Sequence, residues 1–241
     1  MNWLELAKIL IVFLFLIYAC KLDLKSRLIP NRVWKFMLIV TIPITAFQVY
    51  LVAILSKALL LFAFFGILFM ILLSYLLYRM GTYGGADAKA LMCLAVIFPF
   101  YPDLEFFPIV NEGFGVFSFS VLANSVIFAP ALMFGLFFRN VIKEGFSGFF
   151  KTPLYYIAGY RIEVDKIRFH NLFEFIDEKG ELKRVRRGVE ANEELIKRLK
   201  KSKIEKVWVT PALPFIIFIT FGYAVAFLFG DILFLAISLI L

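Results

Sequence analysis

Histidine and cysteine are almost missing from this chain of 241 residues. His170 is the single histidine, which leaves no His-based ligand set for a metal and speaks against Ser–His or Cys–His catalysis. The two cysteines, Cys20 and Cys93, fall in separate apolar segments, so neither a zinc cluster nor a disulfide framework is expected. Charge is also scarce, at 18% of residues, where water-soluble domains carry about 25%. Hydrophobic residues make up 62% of the chain, and 31 of them are phenylalanine. No soluble packing of this length hides that much apolar surface. The composition excludes an ordinary cytosolic enzyme, a disordered chain and a disulfide-stapled secreted domain. It implies an all-α polytopic membrane protein, because abundant Phe suits lipid-facing helices better than the alternating strands of a barrel.

A helical span needs about 20 apolar residues. Six segments reach or approach this length: 3–20, 33–54, 58–78, 88–101, 114–138 and 211–230. The fourth is short and must recruit residues from 84–89 to cross, which sets Asp87 at the membrane boundary. The apolar run 232–241 is too short to span and reads as a helix extension or an interfacial tail. Lys and Arg mark the cytosolic side. They gather in 21–35, in 79–89 and in 139–207, the last with 17 Lys and Arg against 11 Asp and Glu. The 102–113 link carries Asp103, Glu105 and Glu112 and no base. The N- and C-termini are therefore expected outside and the basic links inside. The net charge of +8 is mostly this topology signal, with attraction to lipid headgroups second; nothing points to nucleic acid. Ile17-Tyr18-Ala19-Cys20 looks like a lipoprotein cleavage box. The positive charge follows the apolar run instead of preceding it, so the segment reads as a retained span.

The division expected is a membrane domain over 1–138, a small cytosolic α+β domain over 139–210, and a sixth span with a tail over 211–241. Within the soluble part, residues 161–168 alternate as a strand does. Residues 172–176 and 182–185 flank Asp177-Glu-Lys-Gly180 as a hairpin. Asn192 caps a helix whose apolar face is Leu195, Ile196 and Leu199, and 206–209 forms a last strand.

Ionisable groups at membrane depth are costly and are functional candidates by default. Asp23 follows the first span and Asp87 begins the fourth, both on the same side. Two facing carboxylates can share a proton, one acting as base toward water and the other as acid toward the substrate. Gly84 and Gly85 with Ala86 put small residues ahead of Asp87, where backbone can approach an extended peptide. Pro30 breaks the helix after Asp23, and Asn31 is placed to cap the second span. Each feature has a plainer explanation. Asp23 can be a juxtamembrane charge neutralised by Lys21 or Arg27, Asp87 a helix N-terminal acid, Lys89 a snorkelling cation. Spacing alone leaves these open, together with a transporter or channel that uses Asp87.

Two motifs add weight. Asp23-x-x-x-Arg27-x-Ile29-Pro30-Asn31 resembles the first signature of the type IV prepilin peptidase family. Gly84-Gly-Ala-Asp87-Ala-Lys89 resembles its second, the Gly-x-Gly-Asp motif. Trp208-Val-Thr-Pro-Ala-Leu-Pro214 and the soluble insert before the last span resemble the archaeal preflagellin peptidase branch. The resemblance implies an aspartyl protease of the plasma membrane whose site faces the cytosol. Such an enzyme cuts a basic leader from preflagellin or prepilin precursors just before their apolar helix, with Asp23 and Asp87 catalytic and no cofactor or metal. Gly84, Gly85, Ala86, Lys89, Arg27, Pro30 and Asn31 would shape the site. Ala86 departs from the motif, which has Gly there, and the four-cysteine cytosolic region of many bacterial members is missing. A presenilin-like protease that cuts within spans fits the first motif less well. Oligomeric state, the particular precursor and the residue that holds the proton are not encoded in these patterns.

The Lys/Arg asymmetry makes a direct prediction. Cysteines placed singly in 102–113 should react with an impermeant thiol reagent in intact cells, and those in 21–35, 79–89 or 139–207 should not. Reaction at 139–207 would overturn this topology.

Overall fold

The computed structural model describes residues 2–102, 110–167, 170–202, 204–211 and 215–240. Asp103 and Glu105 of the acidic link, and Arg168 at the end of the first expected strand, lie outside them. In chain order the structure runs α1 (Asn2–Ser26), α2 (Asn31–Leu55), α3 (Lys57–Arg79), α4 (Gly85–Ile97) and α5 (Phe117–Glu144). Then follow α6 (Pro153–Ala158), β1 (Tyr160–Glu163), β2 (His170–Ile176), β3 (Leu182–Glu190), α7 (Glu193–Lys201) and β4 (Lys206–Pro211). The chain ends in α8 (Phe215–Phe229) and α9 (Ile232–Ile240). Contacts divide it into two compact units, residues 1–129 with 214–241, and residues 130–213.

Four described helices, α1, α2, α3 and α5, are long and apolar enough to cross a membrane. With no water in hydrocarbon to satisfy the backbone, a helix is the form such a run must take. The other two apolar segments make shorter helices. α4 has 13 residues and stops at Phe98-Pro99. α8 has 15 residues from Phe215, and Pro211, the first residue of the expected sixth span, belongs to strand β4. The tail is not a simple extension of α8. Gly230, at φ 87°, breaks the chain, and a separate α9 follows.

The core of this unit is apolar: Leu16, Met37, Leu91, Leu94, Phe117, Ile219 and Tyr223 are all essentially inaccessible to solvent. Two polar knots sit within it. Lys8 is buried, pairs with Glu5 at 3.2 Å, donates to the Gln48 side chain and lies 4.6 Å over the Phe98 ring. Gln48 also donates to Glu5. At the foot of α9, buried Asp231 accepts from Ser120 Oγ at 3.1 Å and caps the helix by accepting from the Phe234 N–H at 2.9 Å. Asn124 donates to the Gly230 carbonyl and accepts from the Ile232 N–H.

The second unit carries an antiparallel sheet in the order β1-β4-β2-β3. Alternation along β4 sorts its side chains by face. Val207 and Val209 join Val164, Leu172, Ile176 and Leu199 of α7, while Trp208 joins Tyr155, Tyr156 and Phe173. Buried Glu174 accepts from Arg184 Nε at 2.9 Å and from the Trp208 N–H at 3.1 Å. The hairpin turn forms as expected, with Gly180 at φ 80° and Asp177 accepting from the N–H groups of Lys179 and Glu181. Asn192 caps α7 through the Leu195 N–H at 2.8 Å. The first strand is shorter than its alternation suggested: it ends at Glu163 and gives way to a 3-10 turn at Val164–Lys166.

One packing contact fixes how closely α5 and α8 approach. A Cβ at Gly222 would meet Ser125 Oγ, the Val121 carbonyl and, at 2.8 Å, the Ser125 nitrogen. Gly222→Ala should therefore destabilise the protein by roughly 1–3 kcal/mol, as overpacked sites do. Gly135, with nothing near its absent Cβ, offers the matched comparison. Gly135→Ala should be neutral or should stabilise by up to about 1 kcal/mol. Thermal unfolding of the two variants in detergent measures both.

Candidate active site

Asp87 is the third residue of α4, and its depth follows from where that helix begins. Gly84 holds the N-cap position, and the Asp87 carboxylate turns back to accept the Gly84 N–H through Oδ2 at 3.1 Å. A carboxylate at this position satisfies one of the orphan donors of the first turn and suits the positive end of the helix. The backbone of Ile216, in the first turn of α8, also acts on it from another helix. The carboxylate is buried, with 7% of the residue exposed. A Cβ at Gly84 would stand 3.0 Å from Asp87 Oδ2, so the glycine keeps this capping contact open. Ala86, by contrast, is already helical. At that position Ala is favoured over Gly by about 1 kcal/mol, so the departure from the motif costs the backbone nothing.

Asp23 lies in the last turn of α1 and is only partly buried. Its carbonyl accepts the Arg27 N–H at 2.9 Å. Arg27 stands at φ 56°, in the left-handed conformation that ends helices and that residues other than glycine adopt at a cost of about 1–2 kcal/mol. Its guanidinium acts on the Asp23 carboxylate. The chain then straightens through Pro30, whose fixed φ of −61° suits the cap of α2. Asn31 does not cap that helix. Pro30 holds the cap position and Asn31 is the first helical residue. The Asn31 side chain reaches instead to Lys89, accepting from its Nζ at 2.8 Å.

The two motifs therefore meet. Asp23 and Asp87 lie within electrostatic reach of each other, and Lys89 bridges to Asn31 across the same pair of segments. Three neighbours went unremarked in the sequence. Tyr83 lies within reach of the Asp87 charge and tilts over Phe215, ring centres 4.4 Å apart. Cys20 feels both carboxylates and sits 3.1 Å from Thr220 Oγ1. Ile216 acts through its backbone, which no side-chain pattern reveals. The only signal for it was Pro214, a hint that a helix N-terminus follows. Other described acids are elsewhere: Asp165 is exposed and pairs with Lys200, and Asp177 pairs with Lys183.

If the two carboxylates converge, thiols in their place must as well. In a chain carrying Cys20→Ser and Cys93→Ala, the pair Asp23→Cys and Asp87→Cys should take up one short bismaleimide per molecule, with both thiols consumed. Two independent adducts, read by intact mass, would show that they do not meet.

Comparison with known proteins finds likeness at two levels. Residues 10–133 match the model of the type IV leader peptidase family, and residues 151–232 match archaeal peptidase A24 C-terminus type II. A preflagellin peptidase of Methanocaldococcus jannaschii is 28% identical over 228 residues, covering 90% of this chain and 91% of that protein. Preflagellin peptidases of Methanococcus maripaludis and Methanococcus voltae are each 26% identical over 223 residues, covering 90% of this chain and 92% of theirs. The segment with both acids is the segment that the first model matches across more than half of the chain, and so this membrane protein belongs to the type IV leader peptidase family and is a peptidase.

Proposed function

We propose that the chain is an aspartyl endopeptidase that removes the basic leader from preflagellin-type precursors at the cytosolic face of the plasma membrane. Asp23 and Asp87 are its catalytic pair. The observation that carries this reading is the meeting of two acids from distant segments within electrostatic reach of each other, in a leader-peptidase chain. Two carboxylates that close hold one proton between them, because both cannot ionise together. The ionised member takes a proton from water as the water oxygen attacks the scissile carbonyl. The protonated member gives its proton to the carbonyl oxygen. Collapse of the resulting diol breaks the C–N bond, and the departing amine takes up the proton drawn from water. The Gly84 N–H and the backbone of Ile216 hold the Asp87 carboxylate in place during these transfers. Arg27 and Pro30 hold the turn after Asp23, the Lys89–Asn31 bridge ties the two motif segments, and Gly84 and Gly85 leave backbone open to a substrate strand.

The membrane arrangement in this reading is multi-pass, with six spans. α4 and α8 are about 20 and 22 Å long, short of a hydrocarbon core of about 30 Å, and flanking segments complete their crossings. The cytosolic placement rests on the Lys and Arg of the links that carry Asp23 and Asp87. The preflagellin substrate comes from the relatives, which bear that name. The apolar helix of the precursor stays in the bilayer and presents its leader junction at the interface where the acids sit.

Asp23→Asn and Asp87→Asn should each abolish cleavage of a precursor with a basic leader while expression and insertion are unchanged, since Asn keeps the shape and cannot carry the proton. The double variant should be little worse than either single one, as residues that act as a unit are not additive. Asp23→Glu and Asp87→Glu should each lose on the order of 10²-fold, from displacement of the carboxylate by roughly an ångström. Asp165→Asn should cleave normally. Gel mobility and N-terminal sequencing of the product are the readouts. Normal processing by either Asn variant would remove that residue from the chemistry.

A further inference from the structure

The segment after α5 doubles back on it. Gly145, at φ 79°, ends the helix, and its N–H bonds to the Val141 carbonyl. A 3-10 turn (Phe146–Gly148) and α6 then return alongside the C-terminal half of α5, with Phe149 ring-to-ring against Phe137 at 5.3 Å. Polar bonds lock this hook. Buried Asn140 donates to the carbonyls of Tyr156 and Gly159 at 3.0 and 2.6 Å, and Tyr156 Oη donates to the Gly145 carbonyl at 2.9 Å.

Between hook and helix lies a cleft of about 470 Å³, walled by apolar side chains that include Met133, Phe134, Phe137, Phe138, Phe149 and Ile157. Around it the surface is more apolar still. Phe150 is 74% exposed, Phe138 61% and Phe146 52%. A water-soluble surface does not leave such a cluster uncovered without a partner. Its location says which partner. Phe137 lies two turns, about 10 Å, back from Glu144 along a helix that is itself apolar enough to cross a membrane. The hook therefore returns from the end of the helix to the close of its apolar run near 138, the boundary level at which interfacial segments rest. Lys143 and Lys151, both exposed, bracket it and suit anionic headgroups. A slot of this volume has the size of a small-ligand site, and is far too small for a helix about 10 Å wide and 30 Å long.

We propose that this cleft binds a phospholipid acyl chain, so that the aromatic hook anchors the second unit in the cytosolic leaflet. The proposal rests on reading α5 as a membrane span. The Asn140 and Tyr156 bonds tie the hook to its own backbone, and an acyl chain fills a site so held at little ordering cost.

The test uses the full chain in phosphatidylcholine–phosphatidylglycerol vesicles, with a benzophenone amino acid in place of one residue at a time and intact mass as readout. At Phe150 it should yield lipid adducts at least five times more often than at Lys179, in the exposed hairpin turn. At Phe65, on the exposed face of α3, it reports insertion itself. Lipid capture at Phe65 with none above the Lys179 level at Phe150 would overturn the anchor and leave the spanning helices standing. Failure at both positions would overturn the membrane reading and the anchor with it. A principal Phe150 adduct of dimer mass, or one to an added precursor, would assign the cleft to a second copy or to substrate and equally overturn the proposal. Phe134→Ser with Phe138→Ser, both in the cleft wall, should reduce capture from a probe at Phe149 by at least threefold, and unchanged capture would overturn the cleft as the lipid site.

Discussion

A helix of thirteen residues reaches about 20 Å, and hydrocarbon is about 30 Å thick. α4 is that helix, and the packing of the membrane unit follows from its shortness. Ala88, Ala90, Leu91, Cys93, Leu94, Ala95 and Ile97 are all buried, so α4 faces protein on nearly every side. α2, α3 and α8 close around it. Small residues, alanine above all, make this approach possible, as they do wherever helices pack without a hydrophobic driving force between them. Its first turn, with Asp87 in it, is consequently buried with the rest. What meets the carboxylate there is the Gly84 N–H at the beginning of α4, with the beginning of α8 acting on it through the backbone of Ile216. Such backbone groups cannot swing away as a long basic side chain could, and they place the oxygen atoms by geometry fixed in the backbone.

The sequence disclosed much of this site, and the reasons are physical. A carboxylate beside hydrocarbon is costly enough to draw notice, which brought Asp23 and Asp87 forward from eighteen acids, and the motifs around them made the choice. Glycine before an acid announces a helix beginning, and Gly84 proves to be that cap. Asn31 misled, because Asn is so common a cap that its use as a partner for Lys89 could not be told from local sequence. Ile216 was invisible: it acts through its backbone, which every residue has. The lengths of the spans were legible only where charge bounded them. α3 ends at Arg79 almost where its apolar run does, while at the other end of the chain strand β4 runs on to Pro211, where the sixth span was expected to begin.

In the second unit, turns and caps were the readable features. Asp177 and Gly180, and Asn192 before two glutamates, carry their meaning within four residues. Alternation was less faithful. Val164 keeps the period of Tyr160 and Ile162 and joins the same core, but the backbone there has left the strand for a 3-10 turn. The sheet's second core, Tyr155, Tyr156, Phe173 and Trp208, could not be anticipated because half of it comes from α6, a helix of only six residues. Buried Glu174 likewise makes sense only once Arg184 and the Trp208 N–H are known to face it.

The Glu5–Lys8–Gln48 knot has a consequence for how the protein is made. α1 is made before α2 with an acid and a base one turn apart, and its lysine ends with 2% exposure. The partner that completes the set is on α2, forty residues later. Left alone in lipid, a charged side chain near the middle of a helix costs about 2.5–3.5 kcal/mol on insertion scales, less toward its end. The first helix thus gains its full preference for the bilayer only when the second lies beside it, and the insertion machinery receives, in effect, a hairpin.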